Sequence, residues 1–159
     1  GAGFLLNNEM DDFSAAPGAP NAYGLIGGEA NSIAPHKRML SSMAPTIVTR
    51  NGRLFMVAGS PGGSTIPTTV FQVLLNVVHH GMDMQQAVSA FRFHHQWLPD
   101  TVRAEIGAIQ PADSMALVEM GHVIRIRHAI GRADAILVHP DGTLEGGADP
   151  RGDDRAMGF

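Results

Sequence analysis

Three short clusters in this 159-residue chain carry groups suited to binding or activating a small charged molecule. The first is Gly59-Ser60-Pro61-Gly62-Gly63-Ser64, between an apolar run and a helical pattern. Glycine backbone can lie against a ligand because no Cβ intervenes. Successive free N–H groups at a helix start make an anion site. The same geometry, built on Gly62 and Gly63, serves as an oxyanion hole, where losing one donor lowers a rate roughly 10²–10³-fold. The competing reading is a tight strand-to-helix turn without a ligand. A P-loop is excluded, since no Gly-Lys-Ser/Thr is present.

The second cluster is Glu9, Asp11 and Asp12 behind Asn7-Asn8. Grouped carboxylates can hold an ammonium group, a metal ion or a proton in transit; a solvated acidic turn is the alternative. The spacing is not that of a calcium loop. The third is Ser41-Ser42, two adjacent hydroxyls able to donate to a carboxylate, or a polar turn feeding the next strand. No nearby His-and-acid pattern marks either serine as a nucleophile. His79-His80 and His94-His95 are adjacent pairs whose rings point in different directions, so a zinc site of three or four ligands is not expected. His94, His95 and Trp97 are expected to pack and hydrogen-bond inside the fold.

These clusters need elements to position them. Phe4-Leu5-Leu6 reads as a strand end. Residues 7–45 are rich in Gly, Pro, Asn and Ser, and a loop of that length signals function or disorder. Thr46–Thr49 and Leu54–Ala58 flank Asn51-Gly52, the residues a type I′ hairpin turn requires. Val70, Val73, Leu74, Val77 and Val78 form one apolar helical stripe, stopped at Gly81. Asp83 with Gln86 predicts a capping box on a second helix. Pro111–Met120 reads as a third helix, closed by Gly121. Val123–Arg127 alternates apolar and charged residues, which predicts one buried face. Ala135–Val138, Pro140-Asp141-Gly142 and Leu144 form a last strand and hairpin. The charged tail from Asp149 is expected to fray. The order implies an α+β class with antiparallel strands and helices on at least one face.

Composition narrows the functions. Hydrophobic residues make up 44% and charged residues 16%, enough apolar material for one core. The formal net charge of −4 argues against a nucleic-acid partner. The absence of cysteine excludes a disulfide scaffold, a thiolate metal site and a cysteine nucleophile. No apolar run reaches the roughly 18 residues of a membrane span.

Taken together, the segments resemble the small subunit of a γ-glutamyltransferase (γ-glutamyltranspeptidase), an N-terminal nucleophile hydrolase. The resemblance is carried by residues 5–14, Pro20-Asn21-Ala22-Tyr23-Gly24-Leu25, Leu40-Ser41-Ser42-Met43, Gly59-Ser60-Pro61-Gly62-Gly63-Ser64, residues 92–100 and Asp149-Pro150-Arg151. Each is weak alone; in this order along nearly the whole chain they are specific.

The resemblance implies that Glu9 and Asp12 hold the α-amino group of a γ-glutamyl substrate. It further implies that Ser41 and Ser42 hold its α-carboxylate and that the N–H groups of Gly62 and Gly63 form the oxyanion hole. Residues 17–28 correspond to a lid loop, with Tyr23 over the bound glutamyl group. The implied reaction passes the γ-glutamyl group of glutathione-like donors to water or an amino acid through a γ-glutamyl-enzyme ester, with no metal or organic cofactor. The implied fold is part of a four-layer αββα sandwich shared with a large subunit cut from the same precursor, and the implied location is periplasmic or secreted.

The family nucleophile is a threonine heading the small subunit after self-cleavage, whereas this chain opens on Gly1. Thr68-Thr69 is no substitute, because both fall within the helix predicted after the glycine turn. The expectation is therefore a fragment, residues 1–159 of one domain, inactive by itself. Two other readings stand beside it. One is an oligomerising structural module with unpaired sheet edges. The other is an acylase of the same superfamily, whose substrate need not present a free α-amino acid end.

Overall fold

The computed structural model describes residues 3, 4, 6, 8–21 and 23–158. The chain packs as two compact units, residues 1–42 and residues 43–159.

The first unit has too few periodic apolar positions for regular helices or strands. Its described residues form two short 3-10 turns, Glu9–Asp12 and Glu29–Asn31. Two isolated bridges join Ser14 to Ser32 and Pro20 to Ile26. Phe13 and Ser14 are buried, and the Ser14 N–H donates to the Asn31 carbonyl at 2.9 Å. Gly27 is needed there, since a Cβ would sit 1.9 Å from Ser14 Oγ. Of the strand end expected at Phe4-Leu5-Leu6, the described residues Phe4 and Leu6 are exposed and outside any strand. Leu5 lies outside the described residues, as do Gly1, Ala2, Asn7, Ala22 and Phe159.

The second unit holds the regular elements. β1 (Thr46–Arg50) and β2 (Arg53–Gly59) form the predicted hairpin, with Asn51 and Gly52 at φ 53° and 76°. Helix α1 (Ile66–Val78) follows, started by Pro67 near its N-terminus, where a missing N–H costs nothing. Val70, Val73 and Val77 are buried on its inner face, while Val78 is half exposed. Helix α2 (Met84–Ser89) carries the predicted capping box: the Gln86 N–H donates to Asp83 Oδ1, and the Asp83 N–H donates to Gln86 Oε1. Next come β3 (Phe93–His94), β4 (Val102–Glu105), α3 (Pro111–Glu119), β5 (Ile124–Arg127), β6 (Asp134–Val138) and β7 (Leu144–Gly147).

The strands form two sheets. One runs β1-β2-β6-β7, antiparallel throughout. Met56, Ala58, Ala135 and Leu137 from its inner face meet Val70, Val73 and Val77 of α1 and Met84, Ala87 and Val88 of α2 in the main core. The other runs β3-β4-β5, where β4 and β5 pair in parallel. The expected antiparallel strands are thus joined by one parallel pair. The cause is the α3 crossover, which returns the chain in the same direction, as parallel neighbours require. The alternation at Ile124–Arg127 does not give a buried face. Ile126 is 65% exposed, and none of the described residues of α3 is buried.

Candidate functional site

Within the first unit the acidic cluster and the serine pair meet. In a 3-10 turn residues i and i+3 eclipse, so Glu9 and Asp12 share one face while Asp11 is exposed. Ser41 Oγ donates to Glu9 Oε1 at 3.2 Å. Ser42 Oγ and the Ser42 N–H both donate to Asp12 Oδ2, at 3.2 and 3.3 Å. Two acids and two hydroxyls thus form adjacent pairs between residues 32 and 30 positions apart in the chain. The arrangement offers negative charge for a cation beside hydroxyl donors for an anion, the complementary ends of a zwitterion.

Asn31 supports this pairing from behind, a role sequence reasoning missed. Its Nδ2 donates to the Asp12 carbonyl at 2.6 Å, and its Oδ1 accepts from the Leu40 N–H at 2.9 Å. One amide side chain therefore ties the acidic turn to the start of the serine segment. Nothing in the neighbouring sequence marks it.

The loop expected as a lid, residues 17–28, is a closed turn. The Gly18 N–H donates to the Gly27 carbonyl at 2.9 Å, and the Asn21 N–H to the Leu25 carbonyl at 2.8 Å. Asn21 Oδ1 accepts from the N–H groups of Tyr23 and Leu25 at 2.9 and 3.0 Å. Such side-chain-to-backbone bonds let Asn shape a turn. Tyr23 is exposed at its tip.

Within the second unit, β2 ends at Gly59 and runs straight into the glycine turn. Gly62 and Gly63 have φ of 138° and 56°, values that side chains disfavour. The Thr65 N–H donates to the Gly62 carbonyl at 3.1 Å, and the Ile66 N–H to the Gly63 carbonyl, closing the short 3-10 turn Gly63–Thr65. The amides of Gly62 and Gly63 stand at the head of this turn, where a helical segment has no internal acceptor to offer them. Thr68 and Thr69 lie inside α1, as expected.

The turn is backed by residues 130–133. Gly131, at φ 66°, passes so close that a Cβ there would lie 2.4 Å from Thr69 Oγ1 and 3.1 Å from Ser60 Oγ. The Arg132 N–H donates to Ser60 Oγ at 3.1 Å. A quartet of buried Arg92, Glu105 and Asp149 with half-buried Arg151 anchors this segment. Arg92 and Asp149 are each 1% exposed and pair at 2.7 Å. Glu105 accepts from the Ile130 N–H at 2.7 Å, Arg92 Nη1 donates to the Ile130 carbonyl at 3.0 Å, and Asp149 accepts from the Ala133 N–H at 2.7 Å. Arg151 bridges Glu105 and Asp149. Burial pushes both carboxyls up, but hydrogen bonds from Arg151 and backbone N–H groups outweigh it and hold them below the usual range.

Two expectations are corrected here. The tail does not fray at Asp149, because two arginines offset the cost of burying its charge. Trp97 is not packed inside; it is 76% exposed and His95 is exposed beside it. His94 alone is buried, between Thr68 Oγ1 at 2.8 Å and Gln96 Oε1 at 2.9 Å. Desolvation lowers its pKa and favours the neutral ring. No group of three metal-ligating side chains occurs among the described residues.

The chain is similar to known proteins along its whole length. The family described as Gamma-glutamyltranspeptidase matches residues 1–159. The glutathione hydrolase proenzyme of Escherichia coli K12 is 51% identical over 160 residues, covering 99% of this chain and 27% of that protein. The acylase ACY 1 proenzyme of Pseudomonas sp. strain SE83 is 37% identical, covering 96% of this chain and 25% of that protein. A solved structure of a Helicobacter pylori gamma-glutamyltranspeptidase mutant is 52% identical with a TM-score of 0.89, covering 96% of this chain and 83% of that chain. The chain thus spans about a quarter of the length of the curated relatives it matches. With the family matched along its whole length and the fold superposing on a solved member, the chain belongs to the gamma-glutamyltranspeptidase family, its mixed α+β fold being part of the αββα sandwich of the N-terminal nucleophile hydrolases.

Proposed function

We propose that this chain supplies the substrate-binding and oxyanion-stabilising residues of a γ-glutamyltransferase that also hydrolyses glutathione-like donors. The observation that carries the reading is the pairing of Glu9 with Ser41 and of Asp12 with Ser42. A free α-amino acid end presents an ammonium and a carboxylate on one carbon. Glu9 and Asp12 take the ammonium through charge-assisted hydrogen bonds, and the hydroxyls of Ser41 and Ser42 rotate to take the carboxylate. Tyr23 covers the bound group from the loop 17–28.

The chemistry is acyl transfer. A nucleophile, a threonine in the family, adds to the γ-carbonyl carbon, and the carbonyl oxygen becomes an oxyanion. The N–H groups of Gly62 and Gly63 stabilise that negative charge. The oxyanion collapses, the amine leaves with a proton, and a γ-glutamyl ester remains. Water or an amino acid then attacks the ester and releases glutamate or a new γ-glutamyl amide. The enzyme comprises a large subunit cut from the same precursor, and a periplasmic or secreted location is part of the proposal.

The relation to an acylase supports a second reading, in which the amide cleaved carries no α-amino group. The two separate cleanly. Release of a chromogenic anilide from γ-glutamyl and from glutaryl donors is compared on the complete enzyme. Preference for the γ-glutamyl donor, abolished by Asp12→Ala, is expected; equal or better turnover of the glutaryl donor overturns the first reading.

A further inference from the structure

We propose that the hydroxyls of Ser60 and Thr65 are positioning residues that each lock one peptide plane of the glycine turn and so aim its two N–H groups. The proposal rests on the oxyanion reading of Gly62 and Gly63.

Ser60 Oγ donates to the Pro61 carbonyl at 2.7 Å. Thr65 Oγ1 donates to the Gly62 carbonyl at 2.9 Å, alongside the Thr65 N–H at 3.1 Å. A peptide group is a rigid plane. The Pro61 carbonyl shares its plane with the Gly62 N–H, and the Gly62 carbonyl shares its plane with the Gly63 N–H. Neither bond is cis, so in each plane the N–H points away from the carbonyl. Holding the carbonyl from behind therefore fixes the direction of the N–H in front.

The turn needs such a device. Two consecutive glycines can rotate their shared peptide at little steric cost, and a half-turn would aim an N–H away from the reacting oxygen. Oxyanion stabilisation depends on donors already aimed before charge develops. The hydroxyls are themselves held. Ser60 Oγ accepts from the Arg132 N–H at 3.1 Å, and Thr65 is buried. Space is reserved as well: a Cβ on Gly62 would stand 2.5 Å from Thr65 Oγ1. Glycine at 62 thus serves both the positive φ and the hydroxyl that steadies the next plane.

Ser60→Ala and Thr65→Val are tested in the complete enzyme with a γ-glutamyl donor. Each is expected to lower kcat about two- to tenfold, the size of one neutral hydrogen bond, with KM little changed. Thr65→Ser, which keeps the hydroxyl, restores kcat. Affinity for a γ-glutamyl boronate, whose tetrahedral oxygen mimics the oxyanion, falls by the same factor while inhibition by glutamate is unmoved. Unaltered kcat and boronate affinity in both variants overturns the proposal, as does a loss confined to KM. Should Thr65→Val fail to fold, the partly exposed Ser60→Ala decides. A crystal structure of the unmodified enzyme's boronate adduct separates the two levels. An adduct oxygen away from the Gly62 and Gly63 amides defeats the oxyanion reading itself; an oxygen on those amides with unaltered Ser60→Ala kinetics defeats the positioning role alone.

Discussion

Ser42 places two donors on a single carboxylate oxygen of Asp12, its hydroxyl at 3.2 Å and its backbone N–H at 3.3 Å. The acid is thereby oriented by neutral groups, and its negative charge is left for a cationic partner. Replacing that charge with an isosteric amide should keep the local shape and remove the attraction. Asp12→Asn is expected to raise KM for γ-glutamyl donors roughly 10- to 100-fold, the range of a hydrogen bond to a charged group. Steady-state kinetics on the complete enzyme, with circular dichroism to confirm folding, checks this.

The serine pair should act at the other end of the substrate. Ser41→Ala with Ser42→Ala removes two hydroxyls that reach Glu9 and Asp12 in the free protein. Discrimination between a donor with a free α-carboxylate and its α-amide should shrink about tenfold or more. Equal losses on both donors would show that the pair supports the turn and leaves recognition alone.

Asn31 offers a test of support without contact. Asn31→Ala breaks the link between the Asp12 carbonyl and the Leu40 N–H. Affinity for glutamate should weaken a few-fold, with kcat on a saturating donor preserved. Isothermal titration with glutamate reads the first, and initial rates the second.

Gly62→Ala should be costly on two counts, a φ of 138° and a Cβ 2.5 Å from Thr65 Oγ1. The expected loss in kcat approaches that of a missing oxyanion donor, ~10²-fold. Turnover of a saturating donor by the purified variant measures it.

The quartet of Arg92, Glu105, Asp149 and Arg151 governs acid stability. Glu105 and Asp149 have pKa values depressed in the folded chain. Their contribution is fully present above the unfolded carboxyl range near pH 4 and is lost as pH falls through the lower folded values. The melting temperature should hold steady down to about pH 5 and drop below about pH 4. Asp149→Ala, which leaves Arg92 buried without its partner, should cost about 3–5 kcal/mol in urea unfolding. A flat melting profile from pH 5 to pH 2 would contradict this account.

What sequence reading captured follows a pattern. Features set by local chemistry were legible: Asn51-Gly52 as a tight turn, Asp83 with Gln86 as a cap, and the valine stripe of α1. Periodicity failed where burial is not set by the strand itself, as at Ile126, whose alternating neighbours promise a covered face that these residues do not provide. The tail misled for a related reason. Asp149-Pro150-Arg151 reads as solvated charge, yet Arg92 lies 57 residues before its partner Asp149 and Glu105 lies 46 before its partner Arg151, beyond the reach of any window. The acidic and serine clusters were visible as chemistry, but the link between the acidic turn and the serine segment also runs through Asn31, an unremarkable residue in a polar stretch.

The turn at Glu9–Asp12 works as a ruler with three marks per revolution. Lengthening or shortening it by a single position would swing one acid about a third of the way around the axis, turning its back on the serines. The gap between those two acids is therefore an inflexible part of the blueprint, tolerant of exchanges at Met10 and Asp11 but intolerant of any change in count.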